Sequence, residues 1–208
     1  EVQKPIIGIV LSPTLSLAVG FLAMFVILWT CRNLNPVPLN WTFRKLQLVS
    51  SALYSIAHGG NDAQKTIGII AALLVSEGYL RPAGEKLAGA DIWHQHAWVI
   101  FAAFIAIALG TMSGGWRIVK TMGTKITKLR PVDGFAAATA AGTVISALTL
   151  LRMPVSTTHS IAGSIMGVGA AKNVSAVHWG VSARILWAWV LTIPCSAVIA
   201  VGCYCILR

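Results

Sequence analysis

The sequence predicts an all-α, polytopic membrane protein, and three observations lead to that fold class. Of its 208 residues, 56% are hydrophobic and only 11% are charged, whereas soluble domains carry about 25% charged residues. The mean hydropathy is +0.76. Long stretches without any charge match the roughly 20 residues that a helix needs to cross a bilayer. We therefore expect one transmembrane domain over residues 1–208, with about six membrane segments in the plasma (inner) membrane.

The formal net charge of +10 is better explained by membrane topology than by a nucleic-acid partner. The basic residues fall in short loops between apolar stretches, not on a basic face interleaved with aromatic residues. Lys and Arg in loops are the usual signal for the cytoplasmic side of a membrane protein. The four cysteines form no Cys-x-x-Cys pair, so neither a disulfide framework nor a metal site is predicted. We expect no resident cofactor.

The first two apolar stretches differ in kind. Residues 6–29 are 24 residues without a charge, followed by a turn-forming segment with two prolines. Residues 46–76 are too long for a simple span and hold polar residues at their centre. The apolar pieces on either side, 46–57 and 66–76, each cover roughly half of the hydrocarbon thickness. The sequence therefore predicts a helix that is broken near the membrane midplane.

Four more stretches complete the expected segments. Residues 97–116 are mostly apolar, and residues 134–151 are rich in Ala, Gly and Thr, which suits close helix packing. Residues 153–171 are apolar but open with a proline and a run of hydroxyl residues. Whether they cross the membrane or form a re-entrant hairpin with the preceding segment stays open. Residues 185–207 make the last predicted span.

The centre of 46–76 carries the first predicted site. An Asp and a Lys inside a membrane are costly to bury and indicate a functional site. Gly60 lets the backbone approach a ligand, while Asn61 and Asp62 offer oxygen ligands for a hard cation, or a proton site in Asp62. Gln64 adds an amide, and Lys65 lies about one turn further along, where it can attract an anion or neutralise Asp62. The alternative is a purely structural Asp62–Lys65 pair at helical spacing.

The second predicted site opens the stretch 153–171. Pro154 can precede a helix, and Ser156, Thr157 and Thr158 are suitable N-cap residues. A helix N-terminus presents free N–H groups, which commonly bind phosphate or sulfate. Ordinary capping explains this motif equally well by itself. Together with the first motif in one small membrane protein, it favours a transporter for a small oxyanion.

His58 and His159 each flank one of the two motifs. A lone buried histidine is more often a hydrogen-bonded packing residue than a ligand. Because imidazole titrates near neutral pH, both side chains are nevertheless candidates for a proton relay.

Three segments of the chain carry a family resemblance: HGGNDAQKTIGII (58–70), GTMSGGWRIVKTMGTKI (110–126) and MPVSTTHSIAGSIMGVGAAK (153–172). Together they resemble the PiT family of inorganic phosphate transporters. The resemblance extends from about residue 43 to the end and corresponds to the C-terminal half of the family's members. It implies one half of an inverted-repeat transporter, in which each repeat contributes an Asn-Asp break and a Pro-x-Ser-Thr hairpin to a central phosphate site, with cation symport.

The resemblance also implies roles for individual residues. Asn61 and Asp62 correspond by motif to ion and substrate residues, and the run from Ser156 to Thr158 corresponds to the hairpin tip that binds phosphate. Because this chain has one copy of each motif, an N-terminal repeat half is implied, either in the same polypeptide or as a partner chain. A homodimer is implied by resemblance alone.

One departure from the family bears on the coupling ion. Many sodium-coupled members read Asn-Asp-Val-Ala-Asn where this chain has Asn-Asp-Ala-Gln-Lys. Lys65 removes an oxygen ligand and adds a positive charge, which disfavours a cation there. We therefore expect symport with H⁺ rather than Na⁺, with phosphate carried alone or as a neutral divalent-metal complex.

Three other functions compete with phosphate transport. The nearest is a permease of the same fold for sulfate or another oxyanion; Asp62 favours phosphate because HPO₄²⁻ has a proton to donate. A remote alternative is an intramembrane metal-dependent hydrolase that uses His58, Asp62 and His159, but no hydrolase signature is present. A purely structural membrane subunit would not need Asp62 and Lys65 at the midplane. We therefore expect a transporter and not an enzyme.

Overall fold

We obtained a computed structural model, which describes residues 3–79 and 89–207. Residues 1–2, 80–88 and 208 of the predicted domain 1–208 lie outside the described residues. Within the described ranges, all regular structure is helical. The long helices are α1 (Gln3–Cys31), α2 (Pro36–Ser76), α3 (Gly89–Lys120), α4 (Pro131–Leu150), α5 (Thr157–Lys172) and α6 (Trp179–Leu207), with a π-helical turn at Thr121–Ile126 and a 3₁₀ turn at Val174–Ala176.

Four of these helices are long and apolar enough to cross a membrane: Ile7–Cys31, His96–Trp116, Pro131–Leu150 and Trp179–Ile206. The all-α, polytopic prediction is confirmed in this form, while six segments and the inverted repeat stay predictions. At 16 residues, α5 falls below the ~17–25 residues of a full span, which favours the re-entrant alternative. Helix α3 is kinked at His96 (φ −142°, ψ 51°), so the apolar span begins there, one residue before the predicted start.

The predicted break in 46–76 is wrong, because α2 runs without interruption over 41 residues. Gly59 and Gly60 are helical even though each glycine costs about 1 kcal/mol relative to alanine in a helix. The helical pairs of Asp62 with His58 and Lys65 return only about 0.2–0.5 kcal/mol each. Contacts with other helices, such as the hydrogen bond from Asn61 to Thr149 of α4, must offset the rest. At about 1.5 Å per residue, α2 is roughly 60 Å long, twice the thickness of the hydrocarbon core.

Helices α1 and α5 pack in direct backbone contact. A Cβ built on Gly20 of α1 would lie 2.6 Å from the carbonyl oxygen of Ser164 on α5. A Cβ on Gly163 would meet the carbonyl of Pro13, and one on Gly167 would meet the carbonyl of Leu17. The pair Gly163 and Gly167, a small-xxx-small pattern, therefore marks a helix interface, as such patterns do in membrane proteins.

Helix α4 lies against α1, α2 and α5. Its N-terminus is capped by Asp133, whose Oδ2 accepts from the backbone N–H of Arg130 at 2.8 Å. The same oxygen lies 2.9 Å from the Lys172 ammonium at the C-terminal end of α5. Because Asp133 is only 1% exposed, this ion pair is sheltered from water and ties the two helix ends together. Helix α6 is the most peripheral, and none of its residues 183–206 is buried.

We expect Gly167→Ala to destabilise the protein, because the added methyl group would meet the backbone of α1, which cannot give way as a side chain can. Overpacking of this kind costs about 1–3 kcal/mol. The measurement is thermal unfolding of the detergent-solubilised full-length protein. Gly110→Ala is the matched control, because nothing lies within 4 Å of its Cβ position and alanine favours the helix. Equal midpoints of thermal unfolding for the two variants would contradict the close contact between Gly167 and the backbone of α1.

Candidate functional site

Three polar residues of α2 lie on one face of the helix. The Asp62 carboxylate is 3.0 Å from His58 Nε2 through its Oδ2, and 3.2 Å from Lys65 Nζ through its Oδ1. These are the i,i+4 and i,i+3 spacings that bring side chains together on a helix surface. The structural pair considered as an alternative therefore exists, and it is extended by a histidine.

The start of α5 completes this cluster from the other side. The Thr157 hydroxyl lies 3.3 Å and 3.5 Å from the two Asp62 oxygens, within reach to donate to either. The Lys65 ammonium also donates to the carbonyl oxygen of Val155 at 2.8 Å. Asp62 and Lys65 are therefore more than a pair within one helix. Asp62 contacts the first residue of α5, and Lys65 binds the segment just before it.

The first turn of α5 has the geometry that its sequence predicts. Ser156 is the N-cap, and its hydroxyl accepts from the backbone N–H of His159 at 3.4 Å. The backbone N–H groups of Thr157 and Thr158, at the first two helical positions, have no partner within the helix. Free N–H groups and the positive end of the helix dipole lie at this end, which suits an anion.

A polar cavity of about 370 Å³ lies between these elements. Five of the residues predicted from the sequence line it: Asp62, Lys65, Ser156, Thr157 and Thr158. Its volume falls within the ~300–1,000 Å³ range of small-ligand sites. The two separate motifs of the sequence thus meet at one cavity.

Asn61 points to a different neighbour. Its side-chain Nδ2 donates to the hydroxyl of Thr149 in the last turn of α4 at 3.0 Å. Its Oδ1 is buried without a hydrogen-bond partner among the described residues. Asn61 therefore links α2 to α4 and does not line the cavity.

The other predicted residues lie outside the cavity. Gln64 is exposed on α2, and Gly60 is a helical residue with nothing within 4 Å of its Cβ position. Of the two relay candidates, only His58 contacts Asp62. His159 stacks on Trp189 of α6 with ring centroids 3.8 Å apart, which is a packing arrangement. These four assignments stay predictions.

Sequence reasoning missed three contributors to the site. The Val155 carbonyl binds Lys65, Thr149 binds Asn61, and Ile9 of α1 lines the cavity. Backbone carbonyls and apolar wall residues leave no chemical signature in a sequence. Thr149 is one of four hydroxyl residues in the predicted span 134–151, so it carried no signal of its own.

The described residues contain no group of three His, Cys, Asp or Glu side chains that could hold a metal ion. The charged side chains at the cavity are one carboxylate and one ammonium, Asp62 and Lys65. The arrangement offers N–H, O–H and ammonium donors for an oxyanion, and one carboxylate to accept a proton.

The fold and the site define a polytopic helical membrane protein with a polar, anion-compatible cavity between α2 and the N-terminus of α5. The family model described as the phosphate transporter family matches residues 1–200, and the chain belongs to that family. The resemblance found in the sequence is thereby confirmed. The chain is an integral, multi-pass membrane protein, and membership of a transporter family argues against the hydrolase alternative.

Curated relatives carry the same description. A protein of Rhizobium meliloti named "probable low-affinity inorganic phosphate transporter" is 50% identical over 95% of this chain and 56% of its own length. Proteins of the same name are 41% identical in Bacillus subtilis, over 99% of this chain and 59% of theirs, and 34% identical in Mycobacterium leprae, over 100% and 48%. The chain therefore spans about half to three-fifths of the length of these relatives. No solved structure matches it.

We expect Thr149→Val to destabilise the protein, because valine keeps the shape but leaves the buried Asn61 amide without its acceptor. An unsatisfied buried donor costs about 1–3 kcal/mol. Thr143→Val on the same helix is the matched control, since that hydroxyl is exposed and bonds only to the Thr139 carbonyl of its own helix. Thermal unfolding of both variants measures the difference, and an equal effect would argue against a cross-link between α2 and α4.

Proposed function

We propose that this chain forms part of a secondary active transporter that moves inorganic phosphate across the membrane together with H⁺. The observation that carries the proposal is the cavity where Lys65 and Asp62 of α2 meet the N-terminus of α5. The names of the relatives support phosphate as the substrate.

The site has donors to spare for a phosphate ion. The Lys65 ammonium has three N–H groups and uses two of them, on Asp62 and on the Val155 carbonyl. The third, with the free N–H groups of Thr157 and Thr158, can bind phosphate oxygens at the helix N-terminus. The Ser156 and Thr158 hydroxyls line the same cavity and can donate as well.

Asp62 supplies the discrimination between phosphate and sulfate. Phosphate carries at least one proton near neutral pH, which a carboxylate accepts in a strong charge-assisted hydrogen bond. Sulfate has no proton to offer, so its oxygens would face the carboxylate without a hydrogen bond. A site built around a hydrogen bond rejects analogues that lack the partner group. A sulfate permease is the alternative that this argument disfavours.

Lys65 favours H⁺ over Na⁺ as the coupling ion. Its ammonium already neutralises Asp62 at 3.2 Å, so a sodium ion at that carboxylate would meet a like charge. A proton needs no set of oxygen ligands and can reach Asp62 through His58, whose Nε2 is 3.0 Å away. We assign His58 to the relay on this contact.

The transporter needs more than this chain. The relatives are about twice as long, and we propose that an N-terminal repeat half closes the cavity from the side opposite α5, in the plasma (inner) membrane. Such a half would supply a second Asn-Asp motif and a second set of donors. A homodimer of the complete protein is the assembly that the family resemblance implies.

We expect Asp62→Asn to lower phosphate uptake strongly and to weaken the preference for phosphate over sulfate. Loss of a charged hydrogen bond costs about 1.5–3 kcal/mol, which corresponds to roughly ten- to a hundredfold in apparent affinity. The measurement is uptake of labelled phosphate by the full-length protein in liposomes, with excess sulfate as competitor. Glu77→Gln, the same change at an exposed residue after the same helix, should transport normally.

Two results would count against this assignment. If sulfate blocks uptake by the wild type, the fold assignment stands but the substrate is sulfate or another oxyanion. Normal, sulfate-resistant uptake by the Asp62→Asn variant would show that the Asp62 carboxylate takes no part in binding phosphate.

We expect uptake by the wild type to follow a pH gradient, inside alkaline, in sodium-free buffer. The proton is expected to enter at Asp62, so dissipating the gradient with a protonophore should stop accumulation. Adding Mg²⁺ under the same conditions tests whether phosphate also travels as a neutral metal complex, which would raise the rate. Uptake that requires Na⁺ and ignores the pH gradient would overturn proton coupling.

A further inference from the structure

A second cavity lies at the opposite end of α1 from the candidate transport site. Its volume is about 480 Å³, and it forms where the end of α1 meets the first turns of α2 and α4. Most of its wall is apolar, from Met24, Ile27 and Leu28 on α1 and from Leu39 and Phe43 on α2. None of its lining residues lines the transport cavity.

Two arginines, Arg32 and Arg130, line this otherwise apolar cavity. Both are exposed, and neither forms an ion pair with a carboxylate in residues 3–79 or 89–207. Asp133, three residues after Arg130, is already paired with Lys172. The cavity therefore combines an apolar wall with two positive charges that no carboxylate of the described residues neutralises.

The position of the arginines places the cavity at a membrane surface. Arg32 directly follows the apolar span Ile7–Cys31, and Arg130 directly precedes the span Pro131–Leu150. Residues at the ends of spans lie at the level of lipid headgroups. The apolar wall then runs from that level along α1 toward the hydrocarbon core.

We propose that this cavity binds an anionic phospholipid. The two guanidinium groups would bind the phosphate of the headgroup, since arginine matches phosphate oxygens with paired N–H donors. The acyl chains would cover Met24, Ile27 and Leu28. Basic pockets between membrane helices are a recognised setting for anionic lipid headgroups. Free phosphate would leave the apolar wall uncovered, and a neutral lipid would leave the net positive charge unbalanced.

Cys31 gives a direct measurement, because it lines the cavity and is half-buried. The full-length protein is placed in nanodiscs of phosphatidylcholine, with or without phosphatidylglycerol, and the rate of N-ethylmaleimide labelling at Cys31 is read by peptide mass spectrometry. We expect phosphatidylglycerol to slow labelling. At ten times the dissociation constant, about a tenth of the sites stay free, so the rate should fall about tenfold.

Two variants separate a bound lipid from a general effect of surface charge. The double variant Arg32→Gln, Arg130→Gln leaves Cys31 under the same lipid surface potential but removes both guanidinium groups. Phosphatidylglycerol should therefore change its labelling rate much less than it changes the rate of the wild type. Arg184→Gln, an exposed arginine that does not line the cavity, should respond like the wild type. If the double Gln variant does not fold, Arg32→Lys, Arg130→Lys replaces it; because lysine keeps the charge without the paired donors, we expect weaker protection than in the wild type.

Several outcomes would overturn the proposal. Equal protection by phosphatidylcholine alone would remove the anionic requirement, and equal protection by added inorganic phosphate would make this a free-anion site. A Cys31 that is unreactive in every lipid would mean that polypeptide fills the cavity. Native mass spectrometry of the wild type should show retained phosphatidylglycerol, and its absence would count against the site without reference to any variant. None of these results depends on phosphate uptake.

Discussion

The close contact between α1 and α5 is the constraint on which the candidate site depends. Every fourth residue along α1 is buried and small: Gly8, Ser12, Ser16 and Gly20. The missing side chain of Gly8 makes room for the Pro154 carbonyl, two residues before the N-cap of α5. These small residues of α1 therefore pack against both α5 and the segment that leads into it. Larger residues there would move the N-terminus of α5 away from Asp62, and the cavity would lose one wall.

Charge balance at the cavity connects this geometry to transport. Asp62 and Lys65 cancel each other, so in the proposed transporter an entering phosphate ion brings an uncompensated negative charge into the site. Burying such a charge is costly unless a cation or proton accompanies it. In the proposed mechanism this proton enters through Asp62 and is shared with the bound phosphate in the hydrogen bond between them, so Asp62 still acts as the acceptor. Under the proposed function, one Asp–Lys pair would therefore take part in both binding and coupling.

Sequence reasoning succeeded where the chemistry is local. The membrane class and the cap at Ser156 follow from composition and from helix-end preferences, and the structure has both. The predicted break at Gly59 and Gly60 is wrong because each glycine destabilises a helix by only about 1 kcal/mol. Contacts of the neighbouring residues with other helices outweigh that cost. Contacts between residues of different helices cannot be predicted in this way, so the sequence did not indicate the contacts of Thr149 and of the Val155 carbonyl. Residues 80–88 lie outside the described residues, so expectations for them stay predictions.

The continuous helix also explains why Asn and Asp are adjacent. Successive residues of a helix point about 100° apart, so one dipeptide can contact two neighbours at once. Asn61 binds Thr149 in the last turn of α4, and Asp62 lies within hydrogen-bonding reach of Thr157 in the first turn of α5. These two threonines bracket the connection between α4 and α5. The dipeptide thus holds both ends of that connection, and α2 positions the cavity without being broken. A broken helix would expose more backbone to a ligand but would lose this two-point attachment.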